Sequence, residues 1–198
     1  HVDANFQETE KWKKWRKLHK GEYGIWLHNW VANQTSRYTA QRTPLFVEKQ
    51  VRFFHDYNVH GVYRDGLGEV FGQEGPTYYI FGRMFADPET LDAKTQMFEF
   101  CDAAFGDAAG VMRRFYDTLY HNIELYALYL NTHGDGWSYT DIYGRGHKAV
   151  QDPFRMLSFL YKSAMLDELE KYLSQAEAKA RDSKDKTRLR LVGREFDY

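Results

Sequence analysis

Two carboxylates in a short glycine-bearing stretch are the residues of this chain best placed to do chemistry. Asp65 and Glu69 flank Gly66-Leu67-Gly68 and directly follow Arg64. The segment Val59 to Arg64 reads as a strand. The two carboxylates then leave it at its carboxyl end, the side on which barrels and open α/β sheets build their sites. An earlier segment, Glu22 to Ala32, is rich in aromatic and β-branched residues and also reads as a strand. It carries His28, Asn29 and Trp30 near its end. Carboxylates for acid-base work or hydroxyl hydrogen bonds, with His, Asn and Trp on a shared rim, match a sugar site. In that reading Glu69 and Asp65 are the catalytic candidates, and His28, Asn29, Trp30 and Arg64 bind substrate. The plainer alternative is that Asp65 caps a turn and Glu69 is solvated. A second aromatic platform, Trp137 and Tyr139 with Tyr143, lies in the glycine-bearing loop from Asn131 to Gly146.

Other constellations are weaker. His121 and Glu124 have the i, i+3 spacing of a metal pair on a helix, but no second pair with that spacing faces them, and an ordinary surface pair is the simpler reading. Gly66, Gly68 and Gly72 spell neither a dinucleotide nor a phosphate loop. The sequence therefore calls for no metal and no cofactor. Cys101 is the single cysteine, which rules out an internal disulfide and a cysteine zinc site.

Composition narrows the classes. Of 198 residues, 27 are Lys or Arg and 28 Asp or Glu, a net charge of −1 that argues against bulk nucleic-acid binding. With 43% hydrophobic residues the chain can build a core, and its longest apolar runs are too short to span a membrane. The basic, Trp-bearing helix from Glu8 to His19 could bind a membrane surface or nucleic acid. The simpler reading is a crossover helix with Trp12, Trp15 and Leu18 inward and its lysines in water. The chain begins at His1, and its first methionine is Met84. This is the pattern of a fragment or processed chain, with a missing N-terminal part of the same protein as its nearest partner.

The elements that must position these residues follow from periodicity. Thr43 is an N-cap and Pro44 the first residue of a helix to about Tyr57. A loop from Asp65 to Gly75 leads to a helix opening at Pro76. Helix, strand, helix, strand, helix with short links predicts parallel strands with crossover helices. From Asp87 the period is helical. Asp92 caps one helix, which Gly106 ends, and Asp107 opens a long one with Val111, Phe115, Leu119, Ile123, Tyr126 and Leu130 in a stripe. Helices from Asp152-Pro153, around Leu166 to Ala180, and around Leu189 to Phe196 complete the chain. The expected fold class is α/β then all-α, with residues 1–87 forming one domain and 88–198 a helical domain.

The ordered set of segments resembles a bacterial family of domains of unknown function from polysaccharide-degradation gene clusters. That family is similar to the barrel glycoside hydrolases of the α-glucuronidase type. The resemblance is carried by Gly24-Ile25-Trp26-Leu27-His28, by Val51-Arg52-Phe53-Phe54, and by Val59-His60-Gly61-Val62-Tyr63 with its acidic loop. Tyr79 to Phe85 with Asp87-Pro88, and Phe98-Glu99-Phe100-Cys101 leading to Phe105-Gly106-Asp107, extend it. It implies that residues 1–87 are the last two strand-helix units of a (β/α)8 barrel and that a helical module packs beside them. It also implies a poly- or oligosaccharide substrate and a secreted or periplasmic location. The general acid would come from an earlier strand, before His1, so the isolated chain would be inactive. The sequence leaves three functions open: part of a glycosidic-bond enzyme, a non-catalytic glycan-binding module, or a helical scaffold whose aromatics are simply core.

Overall fold

A computed structural model describes residues 2–28, 42–65, 71–132, 138–140, 146–148, 157–158 and 160–196. Helix α1 (Val2–Leu18) leads into strand β1 (Tyr23–His28), helix α2 (Pro44–Asp56), strand β2 (Val59–Asp65) and helix α3 (Phe71–Ala86). Helix α4 (Ala93–Phe105) follows, then a 3-10 turn (Gly106–Ala108), helix α5 (Ala109–Thr132), strands β3 (Ser138–Thr140) and β4 (Gly146–Lys148), helix α6 (Ser163–Lys179) and helix α7 (Ser183–Arg194).

Local chemistry accounts for the boundaries. The Thr43 side chain accepts a hydrogen bond from Phe46 N at 3.2 Å ahead of Pro44, so α2 starts where its cap and its proline require. Asp92 does the same for α4, accepting from Thr95 N at 2.8 Å. Gly106 ends α4 at φ 48°, a left-handed conformation that suits a residue without Cβ. Asn58 turns the chain from α2 into β2 at φ 61°. Its amide Nδ2 donates to Gly21 O at 2.9 Å, which ties the start of β1 to the start of β2.

Strands β1 and β2 pair in parallel, with Ile25 opposite Val62, Trp26 opposite Tyr63 and His28 opposite Asp65. Gly24 lies opposite Gly61, and a Cβ added at Gly61 would meet the Gly24 Cα at 3.9 Å, an ordinary van der Waals contact, so the backbone approach here does not itself require a glycine. Among the described apolar side chains of helix α1, Trp12 packs against the core. The Trp12 ring lies edge-on to Tyr23 at 5.6 Å and to Phe53 at 6.3 Å. Trp15 and Leu18 are exposed, contrary to the expected inward stripe.

The (β/α)8 reading does not survive. The chain is predominantly helical, and among the described residues β1 and β2 pair with each other alone. A barrel helix covers a sheet, whereas α3 packs against α2, α4 and α7. One buried cluster therefore runs from Val47, Val51 and Phe54 through Ile80 and Met84 to Phe115, Leu119, Leu189 and Val192. Strand and helix alternate in sequence, but the helices bury their apolar faces on one another. Two local expectations also shift. Helix α3 begins at Phe71 and carries Pro76 inside its first turns, and a short antiparallel pair, β3 with β4, lies where only loop and helix were expected. The helix expected from Asp152-Pro153 opens outside the described residues.

The chain's C-terminal region closes this core. Glu195 accepts from Gly72 N at 2.6 Å and Gln73 N at 2.9 Å, capping the otherwise unpaired amides of α3 across 123 residues of sequence. Burial raises the Glu195 carboxyl above its ordinary value of 4.5, while the two amide bonds oppose the shift. The folded value lies above the unfolded one. Wild type should therefore gain stability relative to Glu195→Gln as pH falls through the raised value toward 4.5, and the difference should level off above it. Paired urea titrations across pH 4 to 8 read this directly; a difference that instead shrinks on acidification would contradict the direction.

Candidate functional site

A parallel pair joined by a helix puts the N-terminus of that helix at the carboxyl end of the strands. The starts of α2 and α3 therefore converge on the end where β1 and β2 finish. The backbone register sets His28 beside Asp65 there, and Arg64 beside Leu27. Of the residues the sequence nominated, His28, Arg64 and Asp65 are thus brought to one end of the strand pair. Tyr139 lies in β3 opposite His147. Asn29, Trp30, Glu69 and Trp137 fall outside the described residues.

Two residues from the His28–Asp65 pair along the strands sits an aromatic pair that the sequence reading treated only as part of a strand. The Trp26 and Tyr63 rings are 5.4 Å apart at 87°, and the residues are 62% and 63% exposed. Gly24 and Gly61 precede them in register, and a Cβ on Gly24 would touch nothing. Parallel sheets are normally covered on both faces, so large aromatics left in water on a glycine floor are unusual. The signal was present in the sequence. Gly24-Ile25-Trp26 and Gly61-Val62-Tyr63 share one alternation, but only the register shows that Trp26 meets Tyr63.

The first turns of α3 carry polar residues that sequence reasoning passed over. Gln73, Glu74 and Thr77 are buried. The Thr77 hydroxyl donates to Glu74 O at 2.9 Å and lies 2.8 Å from Glu74 Oε2, and the Tyr120 hydroxyl donates to Gln73 O at 2.9 Å. Burial lowers the Arg42 guanidinium from its usual value, and the nearby Glu74 carboxylate opposes that shift. The Gln73 amide and the Tyr116 hydroxyl are buried without a hydrogen-bond partner among the described residues. Polar atoms so placed are uncommon in a helical core. The Gln73-Glu74 pair ahead of Pro76-Thr77 was the available clue.

The remaining nominated groups sort quickly. Cys101 is fully buried and its thiol is pushed up to about 12, which makes it an inert core residue. His121 and Glu124 face a cleft together with Asp117, but among the described residues no group of three ligating side chains could hold a metal ion. No described helix is long and apolar enough to cross a membrane. No protein-family model matches the chain, and no curated protein or solved structure does either.

Proposed function

We propose that the chain is a glycan-handling part of a carbohydrate-active protein, binding poly- or oligosaccharide on the open face of the β1–β2 pair. The exposed, perpendicular Trp26–Tyr63 pair carries this reading. A pyranose presents an apolar C–H face and a polar hydroxyl rim. Trp and Tyr offer an apolar ring with a polar handle, and such residues suit surfaces that are half wet. The bare backbone at Gly24 and Gly61 leaves room for a ring to approach. His28 and Asp65 come next along the strand backbones and Glu69 follows them in sequence, and these residue types can hydrogen-bond sugar hydroxyls. The ordered resemblance to a family from polysaccharide-degradation clusters points the same way.

Affinity electrophoresis against soluble plant and algal polysaccharides tests it. Trp26→Ala and Tyr63→Ala should each weaken retardation at least about tenfold, the worth of a buried aromatic contact in a binding site. Their melting temperatures should stay close to wild type, because both residues are more than half exposed. If no polysaccharide retards the wild-type chain, or both variants migrate like it, the reading fails. A second reading rests on the strand edges. A two-stranded sheet is marginal in water, and β1 and β2 pair with each other alone among the described residues. A protein partner that adds a strand at an edge would then extend the pair into a wider sheet.

A further inference from the structure

A second concavity, independent of the strand pair, lies where α2, α4 and α5 meet. It encloses about 630 Å³, within the range of small-molecule sites. One wall is apolar, built from Leu45 of α2 and Met97 and Phe98 of α4. The other is the face of α5 that presents Asp117, His121 and Glu124 at i, i+4 and i+7. Lys94 of α4 also lines the cleft, its Nζ 5.9 Å from the centre of the Phe98 ring.

The charges of this cleft are arranged in an unusual way. Lys94 acts electrostatically on Asp117, yet among the described residues the two form no ion pair, and Asp117, His121 and Glu124 make no hydrogen bond. The cleft's other carboxylate, Glu48, is committed elsewhere. It accepts from Arg52 at 2.9 Å and from Ala93 N at 3.0 Å, which locks the corner between α2 and α4. Lys94 and Asp117 thus line one cleft without an ion pair between them, beside an apolar wall and with Glu124 two turns further along α5. Burial raises the Asp117 carboxyl from its ordinary value, in keeping with a group drawn partly out of water.

We propose that this cleft binds a free α-amino acid with an apolar side chain. The ligand's carboxylate would meet Lys94 and its ammonium Asp117, so that the zwitterionic head bridges the two charges the fold holds apart. The side chain would lie on Leu45, Met97 and Phe98. Opposite charges on one head group, with an apolar body beside them, match this cleft better than a plain cation or anion, each of which would engage only one of Lys94 and Asp117.

Amide-resolved NMR titration of the full chain with L-leucine tests the proposal. 3-Methylbutylamine, which is leucine without its carboxylate, and 4-methylpentanoate, which is leucine without its amine, serve as controls. Leucine should give saturable shifts at Lys94, Met97 and Asp117, and each control should bind at least about tenfold more weakly. Lys94→Gln and Asp117→Asn should each raise the leucine Kd at least about tenfold, with melting temperatures near wild type because both residues are exposed. Absence of saturable shifts, equal binding of either control, or variants that bind like wild type would overturn it. Trp26→Ala should bind leucine normally, so this test and the polysaccharide test fail or succeed separately.

Discussion

Replacing Leu119 by Ala will destabilise the chain by about 2–5 kcal/mol, among the largest losses a single core truncation can produce here. Leu119 is fully buried midway along α5, in the stripe that includes Phe115 and continues into the partly buried Ile123. Helix α5 packs against both α4 and α6. A close-packed core collapses only partly around a truncated side chain, so the cavity term adds to the lost transfer energy. Urea unfolding measures this as a fall in midpoint at constant slope. Ile123→Val, at a partly buried position on the same face, should cost no more than about 1.5 kcal/mol. A Leu119→Ala loss no larger than that of Ile123→Val would mean that the stripe does not hold the helices together.

Gly72→Ala should be comparably damaging although it adds a single methyl group. A Cβ built at Gly72 would sit 2.8 Å from the Val192 Cα and 3.0 Å from the Glu195 carboxyl carbon. The first contact is with the backbone of α7, which cannot rotate away like a side chain. Helices α3 and α7 must separate, at an overpacking cost of about 1–3 kcal/mol. The separation also strains the two hydrogen bonds by which Glu195 caps α3, and hydrogen bonds to a charged group contribute about 1.5–3 kcal/mol. A total of about 3 kcal/mol is expected in urea unfolding. Because both effects pass through one contact, Gly72→Ala combined with Glu195→Ala should fall short of the sum of the single losses. Strict additivity would show that the methyl group is accommodated away from Glu195.

The cleft between α2, α4 and α5 and the aromatic face of the strand pair lie on different parts of one core. The aromatic face offers ring surfaces on open backbone, and the cleft offers separated charges beside an apolar wall. Each tests without reference to the other, since Trp26 and Tyr63 belong to the strands and Lys94 and Asp117 to α4 and α5.

What the sequence determined by itself was everything that depends on neighbours within a few turns. Thr43-Pro44, Asp92 and Gly106 mark helix ends because caps act on amides and carbonyls three or four residues away. The i, i+4 recurrence of Val111, Phe115 and Leu119 marked a buried helix face, and strand, helix, strand with short links marked a parallel pair. Only the tertiary structure decided what those faces bury. Helix α3 reads locally as another crossover helix, yet it is gripped by α2, α4 and α7, and so the barrel expectation fails. The first turns of α3 look like loop up to Pro76, because the cap that allows a helix from Phe71 is Glu195, far away in sequence. The pairing of Trp26 with Tyr63 and the gap between Lys94 and Asp117 are likewise long-range facts. They depend on register and on helix packing, and neither is encoded in the spacing of residues along one element.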